Sequence, residues 1–228
     1  MISAEAILFD LDGTLIDTTN LILCCFHHSW GKVCGLSLPR ERLIETFGIP
    51  LREAMVRLLA IRSSETELER AILNETEVLE SLVQEYRSFN AANHDLLALP
   101  FEGTKQTLSQ LRSRGYKLGV VTSKSREMAL RGLKLCGLES LIDTAVFLED
   151  TDRHKPAPDP ILTALGRMSL SPDKAFYVGD SRFDIIAGRA AGVRTVAALW
   201  GPYPRTVLEQ ENPDHLSESV VDLLEIFN

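Results

Sequence analysis

Hydrophobic and polar positions follow two rhythms along this chain. From about residue 18 to 95 the apolar positions recur at helical spacing, with no convincing strand between them. "NLILCCFHHSWGKVCG" predicts one helix, closed by Gly35. "SSETELERAILNETEVLESLVQEYRSFN" predicts another. Its Leu68, Ile72, Leu79, Leu82, Val83, Tyr86 and Phe89 fall near one face, and Glu65, Glu69, Glu77, Glu80 and Glu85 lie mostly elsewhere as a solvated face. After residue 100 short apolar runs alternate with amphipathic segments: "TLSQLRSRG" then "YKLGVVT", "REMALRGLKLCG" then "DTAVF", "DPILTALGRM" then "AFYVG", "DIIAGRAAG" then "VRTVAAL". Strand–helix alternation with Gly at helix ends predicts βαβ units and a parallel sheet. "AILFD", ahead of the helical block, has the same buried character as those strands. The expected architecture is therefore α/β, with a parallel-sheet core from residues 1–17 and 96–228 and an all-helical insertion at 18–95.

Composition narrows the class. The 228 residues are 45% apolar and 25% charged, as in an ordinary soluble globular protein. A net charge of −8 and the lack of a basic stripe argue against nucleic acid as a partner. Glu5, Asp10 and Asp12 interrupt the N-terminal apolar run, so it does not read as a signal peptide, and no run reaches the roughly 18 apolar residues of a membrane span. A cytoplasmic location follows as the expectation. Cys24, Cys25, Cys34 and Cys136 show no zinc spacing and are expected to be reduced core thiols.

The candidate chemistry lies at the ends of the apolar runs, where open parallel sheets bind their ligands. "AILF" ends in Asp10 and Asp12, "KLGVV" in Thr122 and Ser123, and "AFYVG" in Asp180, with Asp184 on the next helix start. Lys155 follows "TAVF" within "EDTDRHKPAPDP". Each residue has a bland reading: a turn for the Asp-Gly pair, a cap for Thr122 or Ser123 on a helix starting near Lys124, solvation for Lys155. Independent turn chemistry does not explain why all of them fall on one rim. Together they suit phosphoryl transfer. An Asp can serve as nucleophile and a second carboxyl as acid and base. Mg²⁺, held by Asp10 and Asp180, and the charge of Lys155 would offset repulsion of an anionic substrate. Thr122 and the amides of the following helix start would hold the transferring oxygens.

These residues resemble the haloacid dehalogenase-like (HAD) hydrolase superfamily, whose fold is a Rossmann-like core with a cap. "DLDGT" looks like its first motif, Thr122 in "VVTSK" its second, Lys155 in "HKPAP" its third and "GDSRFD" its fourth. The resemblance implies Asp10 as nucleophile, Asp12 as general acid and base, and Mg²⁺ on the Asp10 carboxylate, the Asp12 backbone carbonyl and Asp180. Asp184 would stand behind the metal ligands, and Lys155 would bridge nucleophile and phosphate. The helical insertion would be the cap that closes over the site.

Departures narrow the resemblance further. Dehalogenases lack an acid at the position of Asp12, and the related sugar-phosphate mutases carry a His where this chain has Ile22. "ETFGIPLREAM" and "YRSFNAANHDLLALPFEG" resemble the phosphoglycolate phosphatase group, most of all its branch acting as an inorganic pyrophosphatase, as does the cap start "DTTNLILCCFHH". The implied substrate is small: a phosphorylated metabolite such as phosphoglycolate, or pyrophosphate. Arg52, His27, His28 and Lys32 are cap candidates for contacting its second anionic group, Arg52 foremost. Trp200 and "GPYPRT" belong either to a subunit interface or to a loop, leaving monomer and homodimer open. A phospho-aspartate receiver domain is the rival class. It is shorter, lacks a helical insertion and places its acids before the lysine. A catalytically dead binding protein is the bland alternative, yet every reactive position is filled.

Overall fold

The computed structural model describes residues 4–65 and 75–228. The predicted face positions Leu68 and Ile72 lie outside the described residues, as does Glu69. Strands β1 (Ala6–Phe9), β4 (Lys117–Val121), β5 (Thr144–Val146), β6 (Ala175–Gly179), β7 (Arg194–Ala198) and β8 (His215–Ser217) form one sheet in the order β5-β4-β1-β6-β7-β8. Every neighbouring pair in it is parallel. Because side chains alternate across a strand, β1 feeds two cores. Ile7 and Phe9 meet Leu108 and Leu111 of α5 (Thr104–Ser113), Ala129 and Leu133 of α6 (Arg126–Leu135), and Leu223 of α10 (Leu223–Ile226). Ala6 and Leu8 meet Ile161, Ala164 and Leu165 of α7 (Asp159–Met168) and Ala187 and Ala191 of α8 (Arg182–Ala191). Burial on both faces explains why these strands read as unbroken apolar runs. β8 was not legible in that way: His215 and Leu216 are exposed on the sheet edge, so it lacks an apolar run.

The segment between β1 and β4 holds α1 (Thr19–Cys34), α2 (Arg40–Ile44), α3 (Leu51–Glu65) and α4 (Glu75–Leu97). α1 ends where expected, with Gly35 left-handed at φ 66°, its N–H donating to the Gly31 carbonyl and the Leu36 N–H donating to the Trp30 carbonyl. Leu79, Leu82 and Val83 of α4 are buried against Leu23, Phe26 and Trp30 of α1, and Glu77 and Glu80 are exposed, as the period requires. This apolar cluster continues through Phe47 and Ile49 onto Phe183 of α8 and Tyr203, beside α9 (Arg205–Gln210). Two short strands flank the helical segment: β2 (Ile16–Asp17) pairs antiparallel with β3 (Leu99–Pro100). At two residues apiece, these strands are too short to show a period.

The cysteines are free, but only Cys25 is a core residue; Cys24 is exposed and Cys34 and Cys136 are intermediate. Among the described residues no helix is long and apolar enough to cross a membrane.

Candidate active site

β1 lies between β4 and β6, so the segments leaving these three strands open side by side at the carboxyl edge of the sheet. Asp10 leaves β1, Thr122 leaves β4, Asp180 leaves β6, and Lys155 arrives on the segment that follows β5.

Lys155 is buried among acceptors. Its Nζ lies 2.9 Å from Asp10 Oδ1 and 2.7 Å from Asp184 Oδ1, and donates to Tyr177 Oη at 3.2 Å. Three ammonium protons thus meet three acceptors. Asp10, Asp180 and Asp184 are all buried, with carboxylate oxygens within 4.8 Å of one another. One ammonium against three carboxylates leaves two formal negative charges uncompensated in a desolvated place. Burial pushes the Asp10 carboxyl up to about 7, Lys155 pulling it down and Asp184 adding to the rise. Burial likewise lifts Asp180 well above the carboxylate range, with Asp10 and Asp184 adding to it. Burial works against the charge on Lys155, but Asp10 and Asp184 outweigh it and hold the ammonium above the ordinary lysine value.

Asp184 is saturated. Oδ1 takes Lys155 and also the Tyr177 hydroxyl at 3.0 Å; Oδ2 takes the Ser181 amide at 2.9 Å and its hydroxyl at 2.5 Å. The Ser181 contacts form a capping box at the start of α8, so Asp184 serves the helix and the lysine at once. Asp180 is less committed: Thr14 Oγ1 donates to its Oδ1 at 2.7 Å. Gly13, at φ 82°, passes so close that a Cβ there would stand 2.4 Å from Asp180 Oδ2. The Asp-Gly pair of "DLDGT" is therefore a turn and also the place where backbone presses on the Asp180 carboxylate.

Asp10 and Asp12 escape mutual repulsion by facing different cations. Asp12 Oδ1 accepts from Thr18 Oγ1 at 2.8 Å and from Lys124 Nζ at 2.7 Å. Thr122 Oγ1 accepts from the Lys124 amide at 3.2 Å, and Ser123 Oγ donates to the Gly48 carbonyl at 2.7 Å. Neither caps the next helix. That helix, α6, starts at Arg126 instead of near Lys124, with Ser125 at its N-cap and no side-chain capping bond.

Above these residues lies a cleft of about 460 Å³ between the sheet edge and the helical segment. Asp10, Asp12, Thr122, Ser123 and Lys155 line its floor, and Thr46, Gly48, Tyr86, Arg87 and Asn90 its roof. Gly48 sits at φ 96°, and a Cβ there would meet Ser181 Oγ at 2.4 Å, so this loop rests directly on the start of α8. Tyr203 Oη donates to the Phe47 carbonyl at 3.3 Å, and Trp200 Nε1 donates to the Thr14 carbonyl at 2.9 Å. The aromatics of the "ALWGPYPRT" region thus brace the site from behind.

The fold and the motif positions decide the family together. A family profile described as haloacid dehalogenase-like hydrolase matches residues 7–198. The chain belongs to the haloacid dehalogenase-like hydrolases. Among its relatives in this family, it is 37% identical to pyrophosphatase PpaX of Bacillus velezensis, covering 97% of this chain and 95% of that one. It is 36% identical to pyrophosphatase PpaX of Halalkalibacterium halodurans, covering 97% and 96%. The crystal structure of a predicted phosphoglycolate phosphatase from Haemophilus somnus has the same fold, with a TM-score of 0.87 at 24% identity over 99% of this chain and 98% of that one.

The cap candidates fare differently from the motif residues. Arg52 does not line the cleft; its guanidinium is paired with Glu80 on the outside of the helical segment. His28 stacks on Phe89 and faces Glu85, Lys32 pairs with the same Glu85 at 2.8 Å, and His27 lies 3.4 Å from Ser37 Oγ. None of the four reaches the cleft. Among the residues that do, Tyr86, Arg87 and Asn90 belong to "YRSFN". Arg at one helical turn from the buried Val83 face was readable from periodicity, but its opposition to the sheet edge was not.

Proposed function

We propose that the chain is a Mg²⁺-dependent phosphohydrolase of compact anionic substrates, with pyrophosphate preferred and phosphoglycolate next. The Asp10–Lys155–Asp180 cluster beneath the cleft carries this reading. Asp10 is the nucleophile: a carboxylate oxygen attacks phosphorus, the bond to the leaving oxygen breaks, and an aspartyl-phosphate forms. Lys155 orients that carboxylate and opposes the charge gathering on the phosphoryl oxygens. Asp12, with Oδ1 held by Thr18 and Lys124, keeps its second oxygen for proton transfer. It protonates the leaving oxygen, then takes a proton from the water that cleaves the acyl phosphate and returns Asp10. Thr122 and Ser123 hold the transferring oxygens.

The donor set suits Mg²⁺, a hard cation that takes carboxylate oxygens, and two uncompensated charges call for a divalent one. Asp10, the Asp12 carbonyl and Asp180 would hold it. Asp184, with both oxygens occupied, would stand behind them. When bound, Mg²⁺ neutralises the acidic cluster and screens it from the substrate. Helices 18–95 act as a cap that selects substrate and excludes water while the sheet domain supplies the chemistry. A cytoplasmic enzyme, monomeric or homodimeric, fits this reading.

The test is a phosphate-release screen with Mg²⁺ over pyrophosphate, phosphoglycolate, sugar phosphates and a phosphoprotein. The highest kcat/KM is expected for pyrophosphate. Efficient hydrolysis of the phosphoprotein would overturn the small-substrate reading.

A further inference from the structure

Resting on the phosphohydrolase reading, we infer that Arg87 of α4 receives the anionic group of the substrate that is not transferred. Among the described residues, the cations lining the cleft are Lys155, Lys124 and Arg87. Lys155 is committed to Asp10 and Asp184, and Lys124 to Asp12. Arg87 is exposed within the lining and, among the described residues, pairs with no carboxylate. The arginines Arg52 and Arg57 of the same helical segment are instead neutralised by Glu80 and Glu53 and lie outside the cleft. Asp10, Asp12, Glu127 and Glu149 also line it, so a second anion entering beside the reacting phosphoryl group meets mostly negative charge. Among the described residues, Arg87 is the cation there with its donors uncommitted. A guanidinium presents a planar fork that matches both carboxylate and phosphate, which suits either favoured substrate. Its place on α4 sets it one turn from Asn90 and Ala91, which line the same wall. The residue therefore measures the substrate from the cap side, opposite the nucleophile, and serves specificity and not bond cleavage.

The competing role is a latch, in which Arg87 closes onto Glu127 at the start of α6 without touching substrate. The experiment separates the two. Methylenebisphosphonate, which is not cleaved and has two anionic ends, and orthophosphate, which has one, are titrated as inhibitors of p-nitrophenyl phosphate hydrolysis. The proteins are Mg²⁺-loaded wild type, Arg87→Ala, Arg87→Lys and Glu127→Gln. Losing hydrogen bonds to a charged group should raise the Ki of the bisphosphonate in Arg87→Ala by about ten- to a hundredfold, with orthophosphate changed less than about threefold. Arg87→Lys should fall between, and Glu127→Gln should bind the bisphosphonate at least as well as wild type. Equal losses for both inhibitors, a wild type that binds the bisphosphonate no better than orthophosphate, or a Glu127→Gln defect matching Arg87→Ala would overturn the inference. The probe is not hydrolysed, so the result is independent of which substrate wins the phosphate-release screen; failure of pyrophosphate there refutes the substrate reading alone.

Discussion

Replacing Lys155 by Met should cost more stability than any other single change at the sheet edge, and the cost should depend on pH. The side chain is 1% exposed and supplies the only ammonium between Asp10 and Asp184 among the described residues. Methionine keeps much of the volume but leaves two buried carboxylates facing each other. Removing one partner of a buried ion pair costs about 3–5 kcal/mol. At about 2–4 °C per kcal/mol for a chain of this size, Tm should fall by roughly 6–20 °C. The sign follows from the two shifts. The ammonium is held above its ordinary value of 10.5, so its contribution is fully present below that pH and is lost only as pH rises through the higher folded value. Asp10, raised to about 7, is ionised at pH 8 and protonated at pH 5, where its pull on the ammonium disappears. The drop in Tm should therefore be larger at pH 8 than at pH 5 (both chosen to bracket that value). Calorimetric unfolding of metal-free wild type and Lys155→Met at both pH values is the assay. A loss under about 2 °C at the higher pH, less than one kcal/mol by the same conversion, or a larger loss at the lower one, would refute the reasoning.

Other changes probe the same cluster. Asp10→Asn should bring turnover to background while Asp184→Asn leaves measurable activity, as steady-state kinetics would reveal; near-normal turnover in Asp10→Asn would remove it as nucleophile. EDTA should abolish activity and Mg²⁺ restore it. Because metal requires the ionised Asp10, and Asp180 lifted likewise must ionise with it, Mg²⁺ affinity measured by calorimetry should fall at least about tenfold per pH unit below about 7, and a flat profile would contradict the assigned ligands. In the metal-free protein the same shift makes stability fall as pH rises from near 3.8 to about 7, since the folded state there holds the extra proton. Gly13→Ala, strained by about 1–2 kcal/mol at its left-handed φ and forced against Asp180, should weaken Mg²⁺ binding more than it lowers Tm; unchanged affinity would mean Asp180 does not depend on that approach.

The sequence by itself carried the parallel sheet, because strands buried on both faces leave unbroken apolar runs, and it carried the rim of reactive residues, because those runs end where ligands bind. Asp10, Asp12, Thr122, Lys155 and Asp180 were all visible as strand-end chemistry in a recognisable order. Tertiary structure decided which neighbours they serve. Asp10 turns to Lys155 and Asp12 to Lys124, a choice that depends on loops from separate strands and leaves no trace in local spacing. Asp184 reads in sequence as a helix-start acid, and only the fold shows that the same carboxylate also holds the lysine. The cap divides the same way. Its helices were legible from their period, but which arginine faces the cleft depends on how α4 lies across the sheet edge. Arg52 and Arg87 are equally polar, helical and exposed in sequence terms. Packing of α3 against α4 pairs one with Glu80, while contact of the helical segment with the core through Phe47, Phe183 and Tyr203 leaves the other lining the cleft above Asp10.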